Sequence, residues 1–118
     1  NVVTEPALGN FSVPSTVKNG ALTFTLSTGG MPALTRVLAQ DLKKYYGPDF
    51  AEFNEFLQQL RQELQTLEIT PEKRTAFWRQ TLTQSVIDLL HAGQLDQAKE
   101  SITDAVNRFR LESQNSPR

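Results

Sequence analysis

The stretch Ser27-Thr28-Gly29-Gly30-Met31-Pro32-Ala33-Leu34-Thr35-Arg36 holds the residue types best suited to seating an anion. It follows an alternating run, Ala21-Leu22-Thr23-Phe24-Thr25-Leu26, and opens an amphipathic one through Leu34, Val37, Leu38 and Leu42. It therefore reads as strand, glycine turn and helix. Two successive glycines let a bound group approach the backbone, because no Cβ intervenes. The helix start adds unpaired N–H groups and the positive end of a dipole. Ser27 and Thr28 add hydroxyls. Together they make a seat for phosphate or carboxylate groups. A second reading stands beside it: the glycines only turn the chain tightly, and Pro32 starts the helix. The loop lacks the GxxxxGK[ST] spacing of a P-loop and the GxGxxG of a dinucleotide fingerprint.

Other chemistry is sparse. His91 is the single histidine, placed near a helix C-terminus where an imidazolium complements the dipole, and we read it as a surface or capping residue. With no cysteine, thiolate metal sites and disulfides are excluded, and the chain fits a cytoplasmic setting. No nucleophile-elbow motif is present. Glu52 and Glu55 read as a solvated helix face, and Phe77 and Trp78 beside Arg74 and Arg79 as core aromatics next to surface arginines. Tyr45 and Tyr46 read as core or interface packing.

The elements that must hold the loop are these. Phe11 to Val17 is a short extended run containing Pro14, which favours an edge position. Lys18-Asn19-Gly20 supplies an Asn-Gly hairpin turn. In the strand that follows, Leu22, Phe24 and Leu26 share one face and Thr23, Thr25 and Ser27 the other. A two-stranded hairpin is marginal in water, so it needs the next helix and a second copy of itself. Helices are expected from Pro32 to Tyr46, from Asp49 to Leu67, from Pro71 to about Gly93 and from Leu95 to Leu111. Thr70-Pro71 pairs an N-cap with a first-turn proline. The fold class is α+β: residues 1–47 form a hairpin-plus-helix dimerisation unit, and residues 48–118 a small three-helix unit with Trp78 at its centre. Gln58, Gln59, Gln62 and Gln65 mark a solvated face. Asn1-Val2-Val3 reads as the end of a buried strand, so the chain is expected to be the C-terminal part of something longer.

Composition bounds the partners. The 118 residues carry a net charge of −1, so no global basic field points to nucleic acid or to an anionic membrane. No apolar run approaches the roughly 20 residues of a membrane span.

The order Asn1-Val2-Val3, Pro6, Phe11, Pro14, Ser27-Thr28-Gly29-Gly30 and Pro32-Ala33-Leu34-Thr35-Arg36 resembles the precorrin-2 dehydrogenase/sirohydrochlorin ferrochelatase family, the siroheme synthases. The family pattern runs N-V-V-D-x-P, then F-x-x-P, then S-[ST]-G-G-x-S-P-x-L-A-R. Lys73-Arg74-Thr75-Ala76-Phe77-Trp78 also resembles the family's basic stretch ending in Phe-Trp. Nearly the whole chain is covered, in order.

The resemblance implies an upstream Rossmann domain that binds NAD, a dimerisation domain and a helical domain, of which this chain matches the last two and the final strand of the first. It implies a homodimer of a parent that oxidises precorrin-2 to sirohydrochlorin with NAD and, in bifunctional members, inserts ferrous iron. The fragment itself is expected to hold no NAD and no metal. Tetrapyrrole contacts carry over to Asn1, Ser27, Thr28, Gly29, Gly30, Met31, Pro32 and Arg36. The family's proposed acid/base aspartate falls on Thr4, with Glu5 as a possible substitute. The serine before the family's proline is absent, so Met31 precedes Pro32 directly. Two other readings follow from these departures and from the helices: a non-catalytic dimerisation or tetrapyrrole-binding module that has lost its carboxylate, and a plain helical protein-interaction domain.

Overall fold

The computed structural model describes residues 14–115. The expectations for Asn1, Thr4, Glu5 and the strand end at Val2-Val3 lie outside them. The order is β1 (Ser15–Asn19), β2 (Leu22–Leu26), α1 (Pro32–Tyr45), α2 (Pro48–Gln65), α3 (Pro71–Thr81), α4 (Gln84–His91) and α5 (Leu95–Asn115), an α+β chain. It divides into two compact units, one ending at Ala51 and the other starting at Glu52, so the boundary lies inside α2.

In the first unit β1 and β2 pair antiparallel, with Val17 opposite Phe24 and Asn19 opposite Leu22. The turn is therefore Gly20-Ala21, and Asn19 is the last paired residue rather than a central turn residue. Gly20 has φ 61, a conformation that a side chain disfavours at the first turn position. Pro14 precedes the strand and costs the ladder no donor. Val17 is 2% exposed, while Thr16, Lys18, Thr23 and Thr25 face water. Tyr46 stacks on Phe24 with centroids 5.0 Å apart and meets Phe50 edge-on, also at 5.0 Å. That aromatic chain fastens the hairpin to the start of α2, where a Cβ on Gly20 would come 3.1 Å from the Ala51 Cβ. It explains why the first turn of α2 belongs with the hairpin.

The second unit contains four helices, where the periodicity predicts three. The expected helix from Pro71 to Gly93 breaks at Leu82-Thr83. Leu82 leaves helical geometry at φ −88, ψ 89 and closes α3 by donating its N–H to the Trp78 carbonyl. Thr83, at φ −110, ψ 171, is the N-cap of α4. Leu82 is consequently 41% exposed instead of buried. The start of α3 follows the sequence: Thr70 is extended and its hydroxyl accepts from the Lys73 N–H at 3.2 Å. The end of α4 is a Schellman motif, with Gly93 at φ 76, its N–H donating to the Leu90 carbonyl and the Gln94 N–H to Leu89.

The core of this unit gathers Phe53, Leu64, Ile69, Phe77, Val86, Leu90, Ala98, Ile102 and Val106. Phe77, not Trp78, is its central aromatic. Phe77 is 8% exposed and stacks on Phe109 at 4.4 Å with planes 19° apart. Neighbouring helical residues point about 100° apart, so Trp78 turns away from α5 and is only half-buried. Glu52 pairs with Lys99 at 2.8 Å and Glu63 with Arg110 at 2.9 Å. Both pairs span the same sequence separation of 47, so α2 and α5 run parallel over about three turns.

Candidate functional site

β2 ends at Leu26 and α1 begins at Pro32, which leaves Ser27 to Met31 as the connection. Both glycines sit at positive φ, Gly29 at 70 and Gly30 at 122. Gly29 has open space where a Cβ would stand, with nothing within 4 Å. The backbone turn alone thus requires these glycines, and the room above Gly29 is also what an approaching ligand would use.

The hydroxyls are turned inward. Thr28 Oγ1 accepts from the Met31 N–H at 3.0 Å, lies 2.8 Å from the Met31 carbonyl and 2.7 Å from Thr35 Oγ1. Thr35 Oγ1 reaches the same carbonyl at 3.1 Å. Met31, the N-cap of α1, has no side-chain capping bond of its own, so Thr28 ties down the helix entry in its place. Thr35 is the one buried residue of α1, at 7% exposure. Sequence reasoning gave Thr35 no role; its signal was a threonine seven residues past a loop threonine, with Met31 between them. Ser27 Oγ accepts from the Gly29 N–H at 3.3 Å.

What faces outward is narrower than the sequence predicts. Ser27, Gly29, Met31, Pro32 and Arg36 are exposed, while Thr28 and Gly30 are partly covered. Ala33 and Leu34 lie in the first turn of α1, where N–H groups have no intrahelical acceptor. The loop can therefore offer backbone donors and the Arg36 guanidinium to an anion, with Thr28 shaping the turn. Beyond the loop α1 keeps an apolar strip toward water: Leu34 is 46% exposed, Val37 59% and Leu38 38%.

The remaining candidates fall elsewhere. His91 is in the last turn of α4 and partly covered. In the basic stretch, Arg74 donates to the Ile69 carbonyl, while Lys73 and Arg79 are exposed. Among the described residues no group of three or more His, Cys, Asp or Glu is placed to hold a metal ion. Among them, no helix is long and apolar enough to cross a membrane.

Residues 50–106 match the sirohaem synthase dimerisation region. That region runs from the first turn of α2 through α3 and α4 into the first half of α5. Over 91% of its length the chain is 29% identical to a siroheme synthase of Hahella chejuensis. It is 28% identical over 92% to siroheme synthase 1 of Klebsiella pneumoniae and 27% identical over 90% to that of Thioalkalivibrio sulfidiphilus. The chain spans only 23%, 23% and 22% of these relatives' lengths. No solved structure matches it.

Proposed function

We propose, since the chain belongs to the siroheme synthase family through its dimerisation region, that it is the dimer-forming and helical part of a precorrin-2 dehydrogenase-like protein. The whole protein would oxidise precorrin-2 to sirohydrochlorin with NAD and, if bifunctional, would also insert ferrous iron into that product. The observation that carries this reading is the reach of the similarity, which takes in about nine-tenths of the chain rather than the helical region alone.

This chain's share of the work is to bind and orient the substrate. Tetrapyrroles of this class carry eight carboxylates, and the Ser27–Arg36 connection offers backbone N–H donors, a helix N-terminus and a guanidinium on one side of α1. Gly29 leaves the backbone open to a carboxylate oxygen. NAD supplies a hydride acceptor when bound, but the chain has no GxGxxG sequence to hold it. The proton lost with the hydride needs a base. A threonine hydroxyl at position 4 is no base at neutral pH, which leaves the Glu5 carboxylate as the one beside it.

Thr4, standing where the family carries aspartate, favours a second reading: a tetrapyrrole-binding dimerisation module without turnover. The two separate in an absorbance assay of the intact protein with precorrin-2 and NAD, run beside a Thr4→Asp variant. Turnover by the natural sequence supports the dehydrogenase. Turnover by the variant alone marks an enzyme that kept its pocket and lost its base. Sirohydrochlorin binding with turnover by neither supports the module, and no binding at all removes both.

A further inference from the structure

Asn19 is the only asparagine in the chain that is followed by glycine. That pair has a chemistry of its own. The backbone nitrogen after an asparagine can attack the side-chain amide, and glycine puts no Cβ in the way. The structure holds the two residues in opposed situations. Gly20 is an exposed turn residue at φ 61, outside the β1–β2 ladder. Asn19 is half-buried and held twice over. Its backbone forms the last pair of the ladder, opposite Leu22, and its Nδ2 donates to the carbonyls of Gly47 at 2.7 Å and Tyr46 at 3.0 Å. Ring closure needs the Asn19 backbone to leave its extended conformation and Cγ to swing away from those carbonyls onto the Gly20 nitrogen. The closed hairpin therefore withholds a reaction to which its own turn sequence is disposed.

We propose that Asn19 is a self-modification site: it deamidates when the hairpin opens, and the product keeps the hairpin from closing again. In the first step the Gly20 nitrogen bonds to Asn19 Cγ and the Cγ–Nδ2 bond breaks. The side-chain nitrogen leaves as ammonia, taking the Gly20 proton. Water then opens the ring. Cleavage of the new Cγ–N bond gives aspartate, and cleavage between the Asn19 carbonyl carbon and the Gly20 nitrogen gives isoaspartate. One water is consumed, one ammonia is released, and nothing is oxidised. Either product sets a carboxylate oxygen where Nδ2 stood, facing two carbonyl oxygens with no proton to give. Isoaspartate also adds a methylene to the main chain at the last ladder pair. What then still fastens the hairpin is the stack of Phe24 on Tyr46, so that contact sets how often the intact hairpin opens.

The test incubates the full 118-residue chain in mildly alkaline buffer, with and without unfolding urea. Trypsin then releases the peptide 19–36, whose mass and whose aspartyl and isoaspartyl forms are followed over time. The expected result is a gain of one mass unit at Asn19 that is about tenfold or more slower in the native chain than in urea. Phe24→Ala should speed the native reaction about tenfold and leave the rate in urea unchanged. The purified deamidated chain should lose hydrogen-exchange protection in β1 and β2. If Phe24→Ala fails to fold by circular dichroism, the natural chain decides, because its rate should climb with urea below the unfolding midpoint. Equal rates in the native chain and in urea overturn the proposal, since the folded geometry then withholds nothing. So does a folded Phe24→Ala that reacts no faster than the natural chain, because opening of the hairpin is then not the gate. No reaction at Asn19 even in urea removes the site. A deamidated chain that keeps full protection in β1 and β2 overturns the claim that the product holds the hairpin open.

Discussion

The Asn19 side chain closes the first unit against Gly47: its Nδ2 donates to the Gly47 carbonyl at 2.7 Å and to the Tyr46 carbonyl at 3.0 Å. One amide thereby ties the last residue of β1 to the two carbonyls just past the end of α1. The Tyr46 carbonyl lies past the end of α1, and the Gly47 carbonyl also receives the Phe50 N–H at the start of α2. Removing the amide deletes both of these bonds, although the Gly47 carbonyl still accepts from the Phe50 N–H at 3.0 Å. Asn19→Ala should destabilise the first unit by about 1–3 kcal/mol. Asn19→Asp should cost at least as much, because a carboxylate accepts only and would face two carbonyl oxygens. Hydrogen exchange of the β1 and β2 amides reads the effect locally. Unchanged protection in both variants would show that the aromatic chain of Phe24, Tyr46 and Phe50 holds the hairpin without this bond.

The connection before α1 separates hydroxyl from backbone effects. Thr28→Val deletes the oxygen that meets Met31 N–H, the Met31 carbonyl and Thr35 Oγ1, and should destabilise the helix entry by about 1–3 kcal/mol. Gly29→Ala meets no neighbour within 4 Å, and its cost is that of forcing a side chain into φ 70, about 1–2 kcal/mol. The proposed ligand contact adds a second readout. A methyl above Gly29 should weaken sirohydrochlorin binding beyond the loss in stability, whereas Thr28→Val should follow its stability change. Equal affinity in Gly29→Ala and the natural chain, measured by absorbance titration, would move the carboxylate contacts away from this loop.

Which parts of this were legible in the sequence depends on whether a local rule or a tertiary choice decided them. The start of α3 was legible because Thr70-Pro71 satisfies two local rules at once, and the end of α4 because a glycine serves there. The break at Leu82-Thr83 was not, since it contains neither glycine nor proline and the apolar spacing runs on through it. Only the capping type of Thr83, with Leu82 before it and Ile87 four residues on, carried the signal of a stapled helix start. The hairpin turn slipped by one residue because Asn19 answers to the carbonyls of Tyr46 and Gly47 rather than to the turn. The loop at Ser27–Arg36 was visible as a strand-to-helix turn with two glycines. The inward hydroxyls were not, because the pairing of Thr28 with Thr35 exists only once the helix has formed.

Phe77 and Trp78 illustrate the same limit and give a third prediction. Periodicity admits either aromatic to the core, and the stack with Phe109 selects Phe77. Phe77→Ala should cost about 3–5 kcal/mol, as expected for a buried aromatic that leaves a cavity. Trp78→Ala, from a partly exposed site, should cost roughly half of that or less. Urea unfolding followed by circular dichroism ranks them. The reverse order would return Trp78 to the centre of the helical unit.

The two ion pairs between α2 and α5 look like clamps, yet their exposure decides otherwise. Glu52 and Glu63 have side chains 58% and 57% exposed, so water competes with both partners. Each pair should contribute less than about 1 kcal/mol. Lys99 also stands 5.6 Å from the centroid of the Phe56 ring, a contact that removing Glu52 does not touch. Glu52→Gln and Glu63→Gln should therefore shift the unfolding midpoint slightly at low salt and hardly at all at high salt, where screening has already weakened the pairs. Ile102, fully buried on α5, should dominate instead, with Ile102→Ala costing about 2–5 kcal/mol at either salt concentration. A large, salt-insensitive loss in Glu63→Gln would mean that Arg110, whose Nε is buried without a hydrogen-bond partner, depends on that carboxylate to hold its guanidinium in place. The alignment of α2 with α5 would then rest on charge rather than on packing.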